Sequence, residues 1–153
     1  MTASPDRDRS PHPRRVFVLG GTGTIGQACV AALVSRGHDV VCFVRPRAGI
    51  GSALAGEDTR RLLGGATVRF GDVTDHASLT KDGLAGERFD ALVSCLASRT
   101  GAPKDAWAID HRAQVDALEA ARAAGVCVVS GALTPTEAFA AHRAGASFVK
   151  VFP

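Results

Sequence analysis

The sequence has no tyrosine among its 153 residues, so no proton transfer in it can rest on a phenol. No apolar run approaches the roughly 18 residues that a membrane-spanning helix needs. Residues Met1 to Pro13 have no apolar centre, so they are expected to be a polar, disordered tail and not a signal peptide. A dominant charge sign is missing too. Lys and Arg number 18 against 15 Asp and Glu, and the net charge of +3, owed largely to arginines before residue 16, marks neither a nucleic-acid nor a membrane surface. Cysteine is scarce and scattered (Cys29, Cys42, Cys95, Cys127). Each sits in apolar sequence, which excludes a metal or disulfide framework and suits buried thiols in a reducing cytosol.

What is present is an ordinary globular composition, 46% hydrophobic and 22% charged, with chain enough for one domain and a sizeable core. One stretch stands apart. Val16-Phe17-Val18-Leu19 reads as a short buried strand, and Gly20, Gly21, Gly23 and Gly26 crowd the turn after it. Ile25, Ala28, Cys29, Ala32 and Leu33 then recur at helical spacing. A strand entering G-x-G-x-x-G and then a helix is the dinucleotide-binding fingerprint. The glycines divide the work: Gly21 is expected to make the sharp turn, Gly23 to let amides approach a pyrophosphate, Gly26 to let helix pack on strand. The helix N-terminus then aims amides and dipole at two negative charges. Gly20, Gly23 and Gly26 also fit G-x-x-G-x-x-G, the spacing of short-chain dehydrogenase/reductase relatives. The turn Gly20, Gly21, Thr22, Gly23, Thr24, Ile25, Gly26 is therefore the candidate pyrophosphate site, the alternative being a glycine-rich turn without a ligand.

Strands and helices alternate from there. Gly37 is expected to cap the first helix. Val40 to Val44 is a second fully apolar strand of the kind a parallel sheet buries on both sides. A Gly-rich connection (Ala48 to Gly51) leads to a weak helix near Ser52 to Leu63. Thr67 to Phe70 reads as strand three, His76 to Leu84 as a short helix and Ala91 to Cys95 as strand four. Lys104 to Ala124 reads as one long helix with Ile109, Ala113, Ala117, Ala120 and Ala124 along a stripe. Val126 to Val129 is expected as strand five, Thr134 to Ala144 as a helix capped by Thr134 with Pro135 at its first position, and Phe148 to Phe152 as strand six. The alternation implies an α/β, doubly wound, Rossmann-like parallel sheet of about six strands with right-handed crossovers and helices on both faces. Residues 14–153 form its single domain.

In such a sheet the ligand lies across the carboxyl ends of the strands beside strand one. Arg45 and Arg47 follow strand two, where an acidic residue would select NAD. Two arginines suit the extra phosphate of NADP(H) instead; otherwise they are solvated charges. Asp72 and Val73, past strand three, would meet the adenine, unless Asp72 merely caps its own turn. Cys95, Leu96 and Ala97, past strand four, would run under the nicotinamide ribose.

The stretches RRVFVLGGTGTIGQA, VVCFVRP, GDVTD and DALVSCLASRTGAPKDAWAIDHRAQVDAL, over about residues 14–126, resemble the divinyl chlorophyllide reductases, atypical short-chain reductases of chlorophyll synthesis. Gly21 stands where that family usually carries Ala. The resemblance implies NADPH binding and reduction of a vinyl group on a chlorophyll precursor. It also implies a longer chain whose later part builds the substrate pocket. Short-chain relatives that use a Tyr-x-x-x-Lys pair place it after strand five, and this chain cannot contain one. The expectation is a cofactor grip with a weak or absent catalyst.

The last strand-helix-strand piece, 127–153, matches differently. Gly131-Ala132-Leu133-Thr134-Pro135-Thr136-Glu137 and Phe148-Val149-Lys150-Val151-Phe152-Pro153 resemble the keto-deoxy-phosphogluconate and phosphogalactonate aldolases, a TIM-barrel family, and the resemblance puts Lys150 at the Schiff-base lysine. Apolar neighbours could lower its pKa; the alternative is a strand-end lysine reaching solvent. The chain thus reads as a chimera, engineered, recombined or damaged, with both folds joined through their shared parallel units. An uncovered face near Phe148 and Phe152 is expected to favour a homodimer.

Overall fold

The strand of consecutive apolar residues lies at the centre of the sheet, where both of its faces are covered. In the computed structural model, which describes residues 12–46, 52–98, 100–132 and 134–151 (backbone only for 52–55), β1 (Arg15–Leu19) has Val16 to Leu19 fully buried. It pairs in parallel with β2 (Asp39–Val44) on one side and β4 (Ala91–Ser94) on the other, so that Phe17 faces Val41 and Leu92. β3 (Thr67–Phe70) adds to the outer edge of β2, giving the order β3-β2-β1-β4.

Alternation along the strands splits the core into two layers. Phe17, Leu19, Val41 and Phe43 point to one face, against Ala113, Ala117, Ala120 and Ala121 of α5 (Ala113–Ala123). Val16, Val18, Val40 and Cys42 point to the other, against Val30 of α1 (Thr24–Ser35) and Leu63 beyond α2 (Ser52–Leu62). Phe17 also meets Phe89 at a tilt, ring centroids 5.1 Å apart, and its burial is worth about 2–3 kcal/mol. Alanine at the α5 contacts lets the helix lie close to the sheet.

The expected helix over Lys104 to Ala124 is interrupted. It starts as α4 (Pro103–Ala106), widens over Trp107–Arg112, where amides bond five residues back as Ala113 does to Ala108, and only then becomes α5. A widened turn inserts a residue and rotates the helix beyond it. The buried stripe therefore runs Ala113, Ala117, Ala120, Ala121, with Asp116 among them, and leaves Ile109 only half-buried; Ala124, at the C-cap of α5, is half-buried too. The short helix α3 (His76–Ser78) widens in the same way over Leu79–Leu84.

Strand five also departs from expectation. The Val126 amide donates to the Ala121 carbonyl and the Gly125 amide to Arg122, closing α5 with Gly125 at φ 72. That closure occupies the Val126 amide, so β5 starts three residues late, at Val129–Ala132. α1 closes in the same manner around Gly37, as the sequence predicts. α6 (Pro135–Ala144) begins with Thr134 accepting from the Glu137 amide while Glu137 accepts from the Thr134 amide, and β6 (Phe148–Val151) follows. Every strand pairing is parallel, but β5 and β6 pair only with each other among the described residues. Among the described residues they form a separate two-stranded sheet and do not extend the four-stranded one, and the Val128 carbonyl, accepting from Ser147 and Phe148, starts their pairing. The tail 1–11, Arg47, the connection 48–51 and Phe152 lie outside the described residues.

Candidate functional site

The carboxyl end of β1 runs into the glycine turn, whose shape is set by two close approaches. Gly20 takes φ +72, and a Cβ there would lie 2.6 Å from the Cys95 carbonyl oxygen. A Cβ on Gly26 would press still harder on the Gly20 carbonyl oxygen. Any side chain at either position forces α1 or the loop after β4 to move. The left-handed residue of the turn is thus Gly20, where the sequence assigns the sharp turn to Gly21. Gly21 is buried instead, its missing Cβ facing Cys42 Sγ at 3.3 Å and Val30 at 3.5 Å.

Gly23 sits at the N-cap of α1 with no side chain capping it, and its amide closes the turn onto the Gly20 carbonyl at 3.1 Å. The first helical turn carries no acidic residue, so its amides and the helix dipole face outward unopposed. Thr22, Gly23, Thr24 and Ile25 are all exposed, and Gln27 braces the loop by donating to the Thr22 carbonyl at 2.8 Å. An anion reaching this turn would meet backbone N–H groups.

Arg45, exposed at the end of β2, lies within electrostatic reach of Asp72. The Asp72 carboxyl is held below its ordinary range, first by the Thr74 hydroxyl and amide that donate to it at 2.7 and 2.9 Å, and then by Arg45. Asp72 therefore does cap its own turn. Val73 packs inward beside Phe17, Leu19 and Leu79. Cys95 extends the β1–β4 ladder through its amide on Leu19 at 2.9 Å; Leu96 packs against the core and Ala97 is exposed. Gly20 and Cys95 thus bring the ends of β1 and β4 together, with Arg45 and Asp72 past the two strands on the other side.

The protein-family model for the NAD dependent epimerase/dehydratase family matches residues 16–144. The chain belongs to that family. It is 41% identical over 123 residues to the chloroplastic divinyl chlorophyllide a 8-vinyl-reductase of Oryza sativa subsp. indica, covering 80% of this chain and 30% of that one. The chain thus spans about a third of the length of the curated relatives it matches. Among solved structures, the Bordetella bronchiseptica enzyme WbmH in complex with NAD+ superposes with a TM-score of 0.60 at 22% identity, over 79% of this chain and 40% of that one. AtPrR2 with NADP+ and (+)pinoresinol does so with a TM-score of 0.55 at 24% identity, over 88% and 47%. The fold is that of NAD(P)-binding epimerases and reductases.

Lys150 is brought to none of this. It lies exposed on β6, in register with Gly131, in the sheet that holds no residue of the glycine turn. Three residues that sequence reasoning did not single out lie on the widened turn that the loop after β4 meets. Asp110 accepts from the Ser98 amide and hydroxyl at 2.7 and 2.6 Å, tying the loop after β4 to the widened turn. On that turn Trp107 stacks on His111, centroids 4.3 Å apart, and stays largely exposed. Their only signal was membership of the long stretch that resembles the reductases. Among the described residues no helix is long and apolar enough to cross a membrane.

Proposed function

We propose that this chain binds NADP(H) on the glycine turn and is the nucleotide-binding part of a reductase acting on a vinyl-bearing chlorophyll precursor. The observation that carries the binding is the turn itself: neither Gly20 nor Gly26 has room for a Cβ, and Thr22 to Ile25 between them are exposed. That cradle fits a pyrophosphate. Thr22, Thr24, Ile25 and Gly26 would hold it through backbone amides while Gly23 shapes the turn, Arg45 would meet a 2′-phosphate, and the backbone from Cys95 to Ala97 would border the ribose at the other end. When bound, the nicotinamide supplies a hydride; this chain's residues bind and orient the cofactor. The vinyl-bearing substrate is supported by the 41% identity to the rice enzyme over most of this chain. With no tyrosine in the chain, the proton that must accompany a hydride has to come from elsewhere, and this segment alone is read as catalytically weak.

Calorimetric titration of the purified chain with NADPH and NADH tests the reading. Binding should favour NADPH, and Arg45→Ala should weaken NADPH more than NADH, by about tenfold if one charged phosphate contact is lost. Equal weakening would make Arg45 a bystander, and no binding of either nucleotide by the folded chain would end the proposal.

We read residues 127–153 as an aldolase-like graft without aldolase chemistry. Lys150 is exposed, so the dry surroundings that activate a Schiff-base lysine are missing. Borohydride reduction in the presence of pyruvate should leave the mass of the chain unchanged; a Lys150 adduct would overturn this.

A further inference from the structure

Trp107 is the only tryptophan of the chain, and 62% of it is exposed. Indole rings are usually buried over most of their area. Among the described residues the other largely exposed aromatic rings, Phe139 and Phe148, belong to the β5–α6–β6 unit. Trp107 is held in place all the same. Its ring stacks on that of His111, centroids 4.3 Å apart and planes 29° from parallel, which supports one face and leaves the other to solvent.

The ground beneath the ring is fixed as well. Trp107 opens the widened turn that runs to Arg112, and widened turns recur at functional sites. In that turn Asp110 accepts from the Ser98 amide and hydroxyl, and just before it Asp105 accepts from the Thr100 hydroxyl. The loop after β4 is thus pinned to the helix at two points. Ser98 directly follows Ala97, where the backbone read above as bordering the ribose ends. The order β3-β2-β1-β4 puts this loop on the opposite side of β1 from Arg45 and Asp72. A nucleotide lying across the strand ends with its adenine past β2 and β3 therefore turns its nicotinamide toward the loop after β4. The ring that accepts a hydride has to wait at that end.

We propose that Trp107, backed by His111, is the platform that receives the flat conjugated ring of the substrate, a tetrapyrrole, with Lys104 as the partner of a carboxylate on the ring's rim. The class of ligand rests on the function reading above; the platform does not. An indole face and a tetrapyrrole face stack offset and exclude water over a large area. Lys104 is exposed three residues before Trp107, hence on the same side of the helix. The two carboxylates nearest to it in sequence, Asp105 and Asp110, are already bonded to the loop.

The test titrates the purified full chain with deuteroporphyrin, a flat tetrapyrrole with propionate side chains, followed by the porphyrin's own absorption. Trp107→Ala should weaken binding about tenfold, and Trp107→Phe should keep it within about threefold. Lys104→Ala should cost about threefold, less in high salt. Cholate, an apolar carboxylate without a conjugated ring, should not compete. The three variants should melt like the wild type and keep its NADPH affinity. No porphyrin binding by the wild type, or equal binding by Trp107→Ala, would overturn the platform. So would competition by cholate, which would make the site a merely apolar patch. Loss of NADPH affinity in Trp107→Ala with porphyrin binding intact would assign the ring to the nucleotide. A dimer that Trp107→Ala dissolves, again with porphyrin binding intact, would assign it to a second copy. Either result would overturn the proposal. If the wild type binds no nucleotide while porphyrin binding still depends on Trp107, the cofactor reading fails by itself and the platform stands.

Discussion

In β1 and β2 nine of eleven residues are buried; in β5 and β6 only one of eight is. Both pairs are parallel, and both are joined through a helix packed on them. The difference lies in what covers them. β1 has a strand on each side and helices on both faces, so each apolar side chain in it finds a layer to enter. β5 and β6 have one helix between them, and Val129, Phe148 and Val151 are each 64% exposed. Parallel pairing alone does not bury a strand. A two-stranded sheet is marginal unless something packs on it, so the stability of this chain is expected to reside in the four-stranded half, with the β5–α6–β6 unit opening first.

The largest expected effect tests that contrast directly. Phe17→Ala removes a wholly buried ring between Phe43 and Phe89 and should cost about 4 kcal/mol. Phe148→Ala, on the exposed strand, should cost less than about 0.5 kcal/mol. Urea unfolding of both variants measures the difference, and equal losses would mean the two regions share one core after all.

A smaller contrast lies inside the glycine turn. Gly26→Ala forces a methyl onto the Gly20 carbonyl oxygen, well inside contact distance, and should cost about 2–3 kcal/mol, together with nucleotide affinity. Gly21→Ala meets only the Cys42 side chain at 3.3 Å and Val30 at 3.5 Å. Its φ is not left-handed, so the change should stay within about 1 kcal/mol. Thermal melts and NADPH titration of the two variants would rank them, and an intolerant Gly21 would reverse the assignment of the turn.

The legible parts of this fold were those that burial or a local rule dictates. Unbroken apolar runs marked β1 and β2, because a strand covered on both faces leaves no position for a polar residue. Thr134 with Pro135 marked the start of α6, and Gly37 the end of α1. The hidden parts depend on hydrogen-bond choices that composition does not record. Nothing in Trp107 to Arg112 signals that amides there bond five residues back, and that shift turned Ile109 away from the buried stripe. The Val126 amide could serve a strand or a helix end, and the helix end won, delaying β5. In the site, the glycine spacing identified the turn but could not say which glycine would be left-handed, since that depends on how closely Cys95 approaches Gly20. The approach of Cys42 to Gly21 was invisible for the same reason.

The smallest expected effect concerns charge at the opposite end of the same sheet. Glu87 bridges two strands, accepting from Arg69 of β3 at 2.7 Å and from Arg15 of β1 at 2.6 Å. The Arg69 hydrogen bond, before all else, holds its carboxyl below the ordinary value of 4.5. A carboxyl lowered on folding adds stability that is fully present above its unfolded pKa and is lost as the pH falls through its folded one. Asp72, lowered by Thr74 and Arg45, acts in the same direction, so the melting temperature should decline as the pH drops below about 4.5. Glu87→Gln should lower the melting temperature slightly at pH 7 and flatten the decline below pH 4.5. Added salt should shrink the difference from wild type, because the pair is partly exposed and screened. An unchanged acid slope in Glu87→Gln would mean that the bridge between β1 and β3 contributes nothing, leaving the apolar layers alone to hold the four-stranded half together.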